Sequence, residues 1–235
     1  MKLRIVLGIL LPLCGLGLAA CAPGESADEG LSMPADGEGV ELPDPGRDGE
    51  ASLEQALSER RSVRSFADAP LDMRAIAQLL WAAQGVSDPA RGLRTAPSAG
   101  ATYPLETYVV AGNVTGLEPG VYRYSPEDHA LVLTDTGDVR GAIAAAALSQ
   151  DFIAEAPATI VIAGVYARTA QRYGERATRY VHMEVGHAGQ NICLQATALG
   201  LGTVPVGAFR DQQVAEVLGL PADHEPLYLL PVGHP

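Results

Sequence analysis

Apolar residues recur along the chain in changing rhythms, and the changes of rhythm mark the elements. Residues 5–18 are an almost unbroken apolar run, and residues 22–50 carry no core-forming periodicity. From Ala51 the pattern becomes regular. Leu53 and Leu57 have helical spacing in LEQALSERR, and Ser52 with Gln55 suits a capping box. Met73, Ile76, Leu79 and Leu80 share one face of a helix predicted over Asp72–Gln84, with Gly85 as its stop. Residues 86–104, rich in Gly, Pro and Ser, read as a long loop, and such loops are often functional. Thr107–Ala111 reads as a buried strand, and Gly120–Tyr124 and Ala130–Thr134 as a hairpin. An alanine-rich helix is expected over 138–149 and a β-branched central strand over Thr159–Ala163. The longest helix spans about Thr178–Leu199, with Val181, Val185, Ala188, Ile192, Ala196 and Leu199 in one stripe. Gly186 and Gly189 beside that stripe would let another helix come close. A short strand at Thr203–Gly207, a short helix at Gln212–Leu218 and a last strand at Leu227–Val232 complete the chain. Helices and strands intersperse without strict βαβ alternation, which predicts an α+β fold, a three-layer α/β sandwich.

Charge divides the chain the same way. Of the net −12, residues 1–21 contribute +2, residues 22–50 contribute −8 and residues 51–235 contribute −6. That acidity argues against nucleic-acid binding through phosphate neutralisation. The basic start and interrupted apolar run are too short for a comfortable membrane span and fit a secretory signal. Its end, Leu18-Ala19-Ala20-Cys21, resembles the lipobox of bacterial lipoproteins. The resemblance implies cleavage after residue 20, acylation of Cys21 and attachment to the extracytoplasmic, periplasm-facing side of a membrane. Residues 21–50 would then be the lipidated cysteine and an acidic, disordered linker, with the folded domain over 51–235. Cys14 would leave with the signal, so Cys193 remains the single thiol and no disulfide forms. No cysteine or histidine spacing suits a metal; His182 and His187, five apart, diverge on a helix.

The usual nucleophile and nucleotide motifs are missing. Ala96–Gly100 is not a G-x-S-x-G elbow, Lys2 is the only lysine, and Gly200-Leu201-Gly202 follows a helix instead of opening one. Such a domain borrows its chemistry from an organic cofactor. The strongest positive signal is Arg60-Arg61-Ser62-Val63-Arg64 directly after the first helix. In an extended segment Arg60, Ser62 and Arg64 point the same way, and guanidinium groups with a hydroxyl suit a phosphate or ribityl chain. Arg60 and Arg61 also suit a helix C-terminus; Ser62 and Arg64 do so much less.

These residues resemble the nitroreductase (flavin reductase) superfamily. So do Pro97-Ser98-Ala99-Gly100-Ala101, Leu199–Gly202 before Pro205–Phe209, and terminal Pro231–His234. The strings Ala96–Glu106 and Glu184–Asn191 are similar to the SagB-type dehydrogenase branch. The resemblance implies an FMN oxidoreductase with hydride transfer at flavin N5, usually a homodimer with FMN at the subunit interface. Arg60, Arg61, Ser62 and Arg64 would hold the phosphate and ribityl chain. Pro97, Ser98 and Gly100 would reach the flavin from the partner. Pro205, Val206, Gly207 and Ala208 would lie along the ring, a backbone N–H near Gly207 or Ala208 donating to N5. Tyr103, Tyr180 and Glu184 are candidates for contact with a small-molecule or peptide substrate or for proton transfer. Family members commonly continue past P-V-G-H with a basic pair; here the chain ends at Pro235, so the Arg60–Arg64 cluster would carry more of the phosphate. The competing expectation is a lipoprotein on a degenerate flavin-reductase fold that binds a ligand or partner without turnover.

Overall fold

The computed structural model describes residues 39–235. The apolar leader, Cys21 and the acidic stretch to residue 38 lie outside the described residues. In chain order the elements are β1 (Val40–Glu41), α1 (Leu53–Glu59), α2 (Met73–Gln84), β2 (Val86–Asp88), β3 (Leu93–Arg94), β4 (Leu105–Ala111), β5 (Gly120–Ser125), β6 (Ala130–Thr136), α3 (Arg140–Ala146), α4 (Phe152–Glu155), β7 (Ala158–Gly164), α5 (Tyr166–Tyr173), α6 (Ala177–Ala198), β8 (Gly202–Thr203), α7 (Asp211–Val217) and β9 (Glu225–Gly233). Seven strands form one antiparallel sheet in the order β1-β6-β5-β4-β7-β9-β8.

Side chains alternate across a strand, so a sheet covered on both faces needs apolar residues at every position of its central strands. β7 meets that demand: all seven residues are buried. Ile160 and Ile162, with Leu105, Val109 and Leu230, pack against Ile76, Leu79 and Leu80 of α2 and Val185 and Ile192 of α6. Val161 and Ala163, with Tyr108, Val110 and Leu229, pack against Ile143 of α3, Ile153 of α4 and Val214 of α7. The result is the expected α+β three-layer sandwich. Each fully buried Leu or Ile contributes about 1.5–3 kcal/mol relative to exposure. α2 and α6 run antiparallel, tied where Gln78 Nε2 donates to Gln195 Oε1 at 3.2 Å and Asn191 Nδ2 to the Ala82 carbonyl at 2.9 Å.

Several expectations change in detail. The acidic linker ends before residue 50: Val40 pairs with Leu131, Leu42 is buried, and Gly46 exchanges hydrogen bonds with the Gln78 side chain. The alternating apolar pair Val40 and Leu42 makes an edge strand that the surrounding acids and prolines disguise. Ser52 caps α1 as expected, accepting from Gln55 N at 3.1 Å, but the Gln55 side chain donates to Glu59 instead of returning to the cap. Gly85 stops α2 without a left-handed turn; a Cβ there would come within 2.2 Å of the Trp81 ring. The long loop holds the β2–β3 ribbon and a 3-10 turn at Ala99–Ala101. The helix expected over 138–149 breaks at Leu148 and Ser149, both left-handed, into α3 and α4. β8 is only two residues, with Val206 bridging separately to Leu229. Gly189 makes room for the Tyr228 ring of its own chain, 3.0 Å from a would-be Cβ, while Gly186 faces open space.

Candidate functional site

The sequence-predicted site residues fall into two groups at opposite ends of α6. The first forms around the extended segment after α1. Ser62 bridges in parallel to Thr203, and Val63 N donates to the Thr203 carbonyl at 3.1 Å. Val63 packs so closely on Gly202 that a Cβ there would lie 2.7 Å from the valine side chain. With Val63 turned inward, Ser62 and Arg64 are exposed and Arg60 is half-buried. Among the described residues, neither Arg60 nor Arg64 has a carboxylate within 4 Å. Arg64 lies over the Phe152 ring at 5.9 Å. Arg61 differs: its guanidinium folds back to donate to the Ser58 and Arg60 carbonyls, as a helix C-terminus allows.

Thr203 leads directly into Pro205–Ala208. Val206 is buried and exchanges hydrogen bonds with Leu229, while Pro205, Gly207 and Ala208 are exposed. The Gly207 and Ala208 N–H groups donate to no carbonyl among the described residues. Gln150 pins this end, its amide donating to the Ala147 and Ala208 carbonyls at 2.7 and 2.9 Å. Unpaired guanidinium groups, an exposed hydroxyl and free backbone N–H groups along one ridge suit an anion and a polar ring edge.

The second group surrounds the Pro97–Tyr103 loop. Pro97 and Gly100 are exposed, and Ser98 accepts from Tyr103 N at 2.9 Å. Gly100, Ala101 and Tyr103 are all left-handed, with φ of 62°, 53° and 43°. A Cβ on Gly100 would sit 2.6 Å from the Tyr173 hydroxyl. The Arg94 guanidinium lies 4.6 Å from the Tyr103 ring centre while bonding to Gln84 and Glu127. Glu184 is 3% exposed, and its Oε1 has no hydrogen-bond partner among the described residues. Burial pushes its pKa up to about 7, against the opposing pull of the Ser98 hydroxyl, the Ala99 N–H and Arg94. It therefore lies inside the fold beside the loop and not on an open surface. Tyr180 is half-buried, accepts from Arg176 at 2.8 Å and meets Tyr173 edge-on at 5.1 Å.

The two groups do not meet within one chain. Roughly 18 Å of helix separates Glu184 from Ala196 at 1.5 Å per residue. Ala196 in turn binds Leu201, just before the Thr203 end. Sequence reasoning missed Gln150, Arg94 and the α5 residues that hold the loop. Only Arg168 and Arg172 carry a sequence signal, their i, i+4 spacing on a polar helix. A cavity of about 770 Å³ between α1, α2, α6 and residues 44–51 is lined by none of these residues. Leu53 of α1 and Leu199, the cap residue of α6, line that cavity and, with Leu57 of α1, are at least 41% exposed.

The seven-stranded antiparallel sheet, with helices on both faces and a basic, N–H-rich ridge at its edge, matches known proteins of a flavin oxidoreductase fold. Residues 57–234 match the nitroreductase family model, and the chain belongs to that family. Members of the family typically bind FMN. The chain is 52% identical over 184 residues to a Methanocaldococcus jannaschii protein named as a nitroreductase, covering 78% of this chain and 91% of that one. A crystal structure from Ralstonia eutropha, likewise described as a nitroreductase, superposes with a TM-score of 0.74 at 30% identity, over 86% of this chain and 92% of that chain. The trifolitoxin-processing protein of Rhizobium leguminosarum bv. trifolii is 30% identical over 141 residues, 54% of this chain and 35% of that longer protein.

Proposed function

We propose that the protein is an FMN-dependent oxidoreductase of the SagB-type dehydrogenase branch, working as a homodimer and anchored on the extracytoplasmic side of a membrane through acylated Cys21. The observation that carries the reading is the ridge of Arg60, Ser62 and Arg64, free of carboxylate partners among the described residues and tied through Thr203 to the Pro205–Ala208 segment. When bound, FMN would supply reversible hydride chemistry at its N5. Arg60 and Arg64 would neutralise its phosphate, and Ser62 would bond the phosphate or ribityl chain. The Gly207 and Ala208 N–H groups, which meet no carbonyl among the described residues, would face the ring edge and stabilise negative charge there.

Homodimerisation is supported by the exposed leucines of α1 and α6 and by the separation of the two half-sites, since a second copy would bring its Pro97–Tyr103 loop to the ridge of the first. Tyr103 and Tyr180, from that loop and from α6, are the groups we assign to substrate contact. The likeness to a trifolitoxin-processing protein supports a peptide substrate. An exported enzyme has little access to NAD(P)H, which favours dehydrogenation or reduction by a membrane partner over nicotinamide-driven turnover. The test is the visible spectrum of purified protein with and without added FMN. A flavin spectrum that stays with the protein through gel filtration supports the reading, and a colourless protein that takes up no FMN overturns it.

A further inference from the structure

Three consecutive contacts tie the left-handed loop to one face of one helix. Arg172 Nη1 donates to the Gly100 carbonyl at 3.2 Å, Thr169 Oγ1 lies 2.8 Å from Thr102 Oγ1, and Arg168 Nη1 donates to the Tyr103 carbonyl at 3.1 Å. The other arm of Arg168, Nη2, donates to Glu106 Oε1 of β4 at 2.6 Å. Arg168, Thr169 and Arg172 lie at i, i+1 and i+4 of α5 and meet three successive parts of the loop. Thr169 is 1% exposed, whereas the Arg168 side chain is 41% exposed. Left-handed conformations at non-glycine residues cost on the order of 1–3 kcal/mol each and persist only when surrounding contacts over-determine them. Ala101 and Tyr103 are two such residues within three positions.

We propose that α5 is a clamp whose Arg168, Thr169 and Arg172 are positioning residues: they hold the Pro97–Tyr103 loop in the strained shape in which it serves the flavin site. Its consequence for FMN rests on the proposed function; the clamp itself rests on the contacts alone. Arg168 and Arg172 act differently. The Arg168 fork spans two acceptors on different elements, a task lysine's single ammonium does not perform. Arg172 offers one hydrogen bond to one carbonyl, and lysine retains it. Thr169 needs its hydroxyl, because valine keeps the volume and loses the bond.

The test is amide hydrogen exchange over residues 98–105 in the full chain, alongside thermal melting and FMN titration. Arg168→Ala, Arg168→Lys and Thr169→Val should each speed exchange of the loop about 10-fold. Arg172→Lys should leave it at the wild-type rate, and Arg172→Ala should not. Exchange in β7 and α6, and the melting temperature of the four arginine variants, should stay near wild type, which separates a clamp from a general support of the fold. FMN affinity should fall in step with loop protection. Unchanged loop exchange in Arg168→Ala and Thr169→Val overturns the clamp, as does equal rescue by lysine at both arginines. A wild-type protein that binds no FMN overturns the proposed function and leaves the exchange results to decide the clamp.

Discussion

The Arg60–Arg64 segment contains its own control, because three arginines in five residues have three different environments. Among the described residues Arg60 and Arg64 have no carboxylate partner, and they project from the ridge with Ser62, while Arg61 is spent on the Ser58 and Arg60 carbonyls. A hydrogen bond to a charged group contributes about 1.5–3 kcal/mol, and every 1.4 kcal/mol is tenfold in affinity. Arg60→Ala and Arg64→Ala should therefore each raise the FMN dissociation constant by about 10- to 100-fold. Losses at the two should not simply add, since both act on one phosphate. Arg61→Ala removes only a helix-end contact, so FMN affinity should stay within about threefold while stability drops by about 0.5–1 kcal/mol. Fluorescence-quench titration of FMN measures the affinities, and thermal melting without FMN shows whether folding is intact. The ridge is solvent-exposed, so its affinity should weaken as salt shortens the Debye length from about 10 Å at 0.1 M to about 3 Å at 1 M. Equal losses at all three arginines, or none at Arg60 and Arg64, would refute this assignment of the phosphate.

Other consequences follow from neighbouring contacts. Gly202→Ala places a Cβ 2.7 Å from Val63; calorimetry should show about 1–3 kcal/mol of lost stability, and FMN binding should weaken as the segment shifts. Gln150→Ala frees the Pro205–Ala208 end by losing two amide hydrogen bonds, which should lower both stability and FMN affinity by about 1–2 kcal/mol each. Burial holds His224 below its ordinary pKa beside the Tyr108 hydroxyl, 2.6 Å from its Nδ1. The unfolded chain then takes a proton that the folded one refuses, so His224 lowers stability as pH falls below about 6.5. Glu184 has the opposite sign: its raised folded pKa costs stability as pH climbs from about 4.5 towards 7. Denaturant melts between pH 5 and 8 should show Glu184→Gln flattening the second slope and leaving the first.

How much of this was legible in the sequence depends on where each signal is written. α2 and α6 were clear because each buries a long stripe against the sheet, and β7 because it is apolar throughout. α5 was not, since among its eight residues only Thr169 is buried and the others are exposed or half-buried. β1 was hidden by the acids and prolines around it. The Arg60–Ser62–Arg64 ridge could be read because its members are consecutive and the alternation of an extended chain orients them. The clamp could not, because Arg168 meets Tyr103 across 65 residues and Arg172 meets Gly100 across 72. Glu184 was visible as a carboxylate but not as a buried one, for its position within the α6 stripe shows only once α2 and the loop are packed on it.

The separation of the half-sites along α6 makes composite sites testable without a structure of the dimer. One chain would carry Arg60→Ala with Arg64→Ala, disabling the ridge. A second would carry Gly100→Val, which combines a left-handed φ with a side chain driven into Tyr173 and so disables the loop. If a site takes its ridge from one subunit and its loop from the other, each pure variant dimer has two damaged sites. A mixed dimer instead gathers both lesions at one site and leaves the other intact. Random pairing of equal amounts makes half of the dimers mixed, so about a quarter of wild-type FMN sites should return on co-expression. Titration at a concentration where only intact sites fill would count them. A site built within one chain gives no recovery, because every chain in the mixture carries a lesion in its own site. Recovery near one quarter therefore requires the loop of one subunit to serve the ridge of its neighbour, and its absence from co-purified mixed dimers would return both half-sites to a single chain.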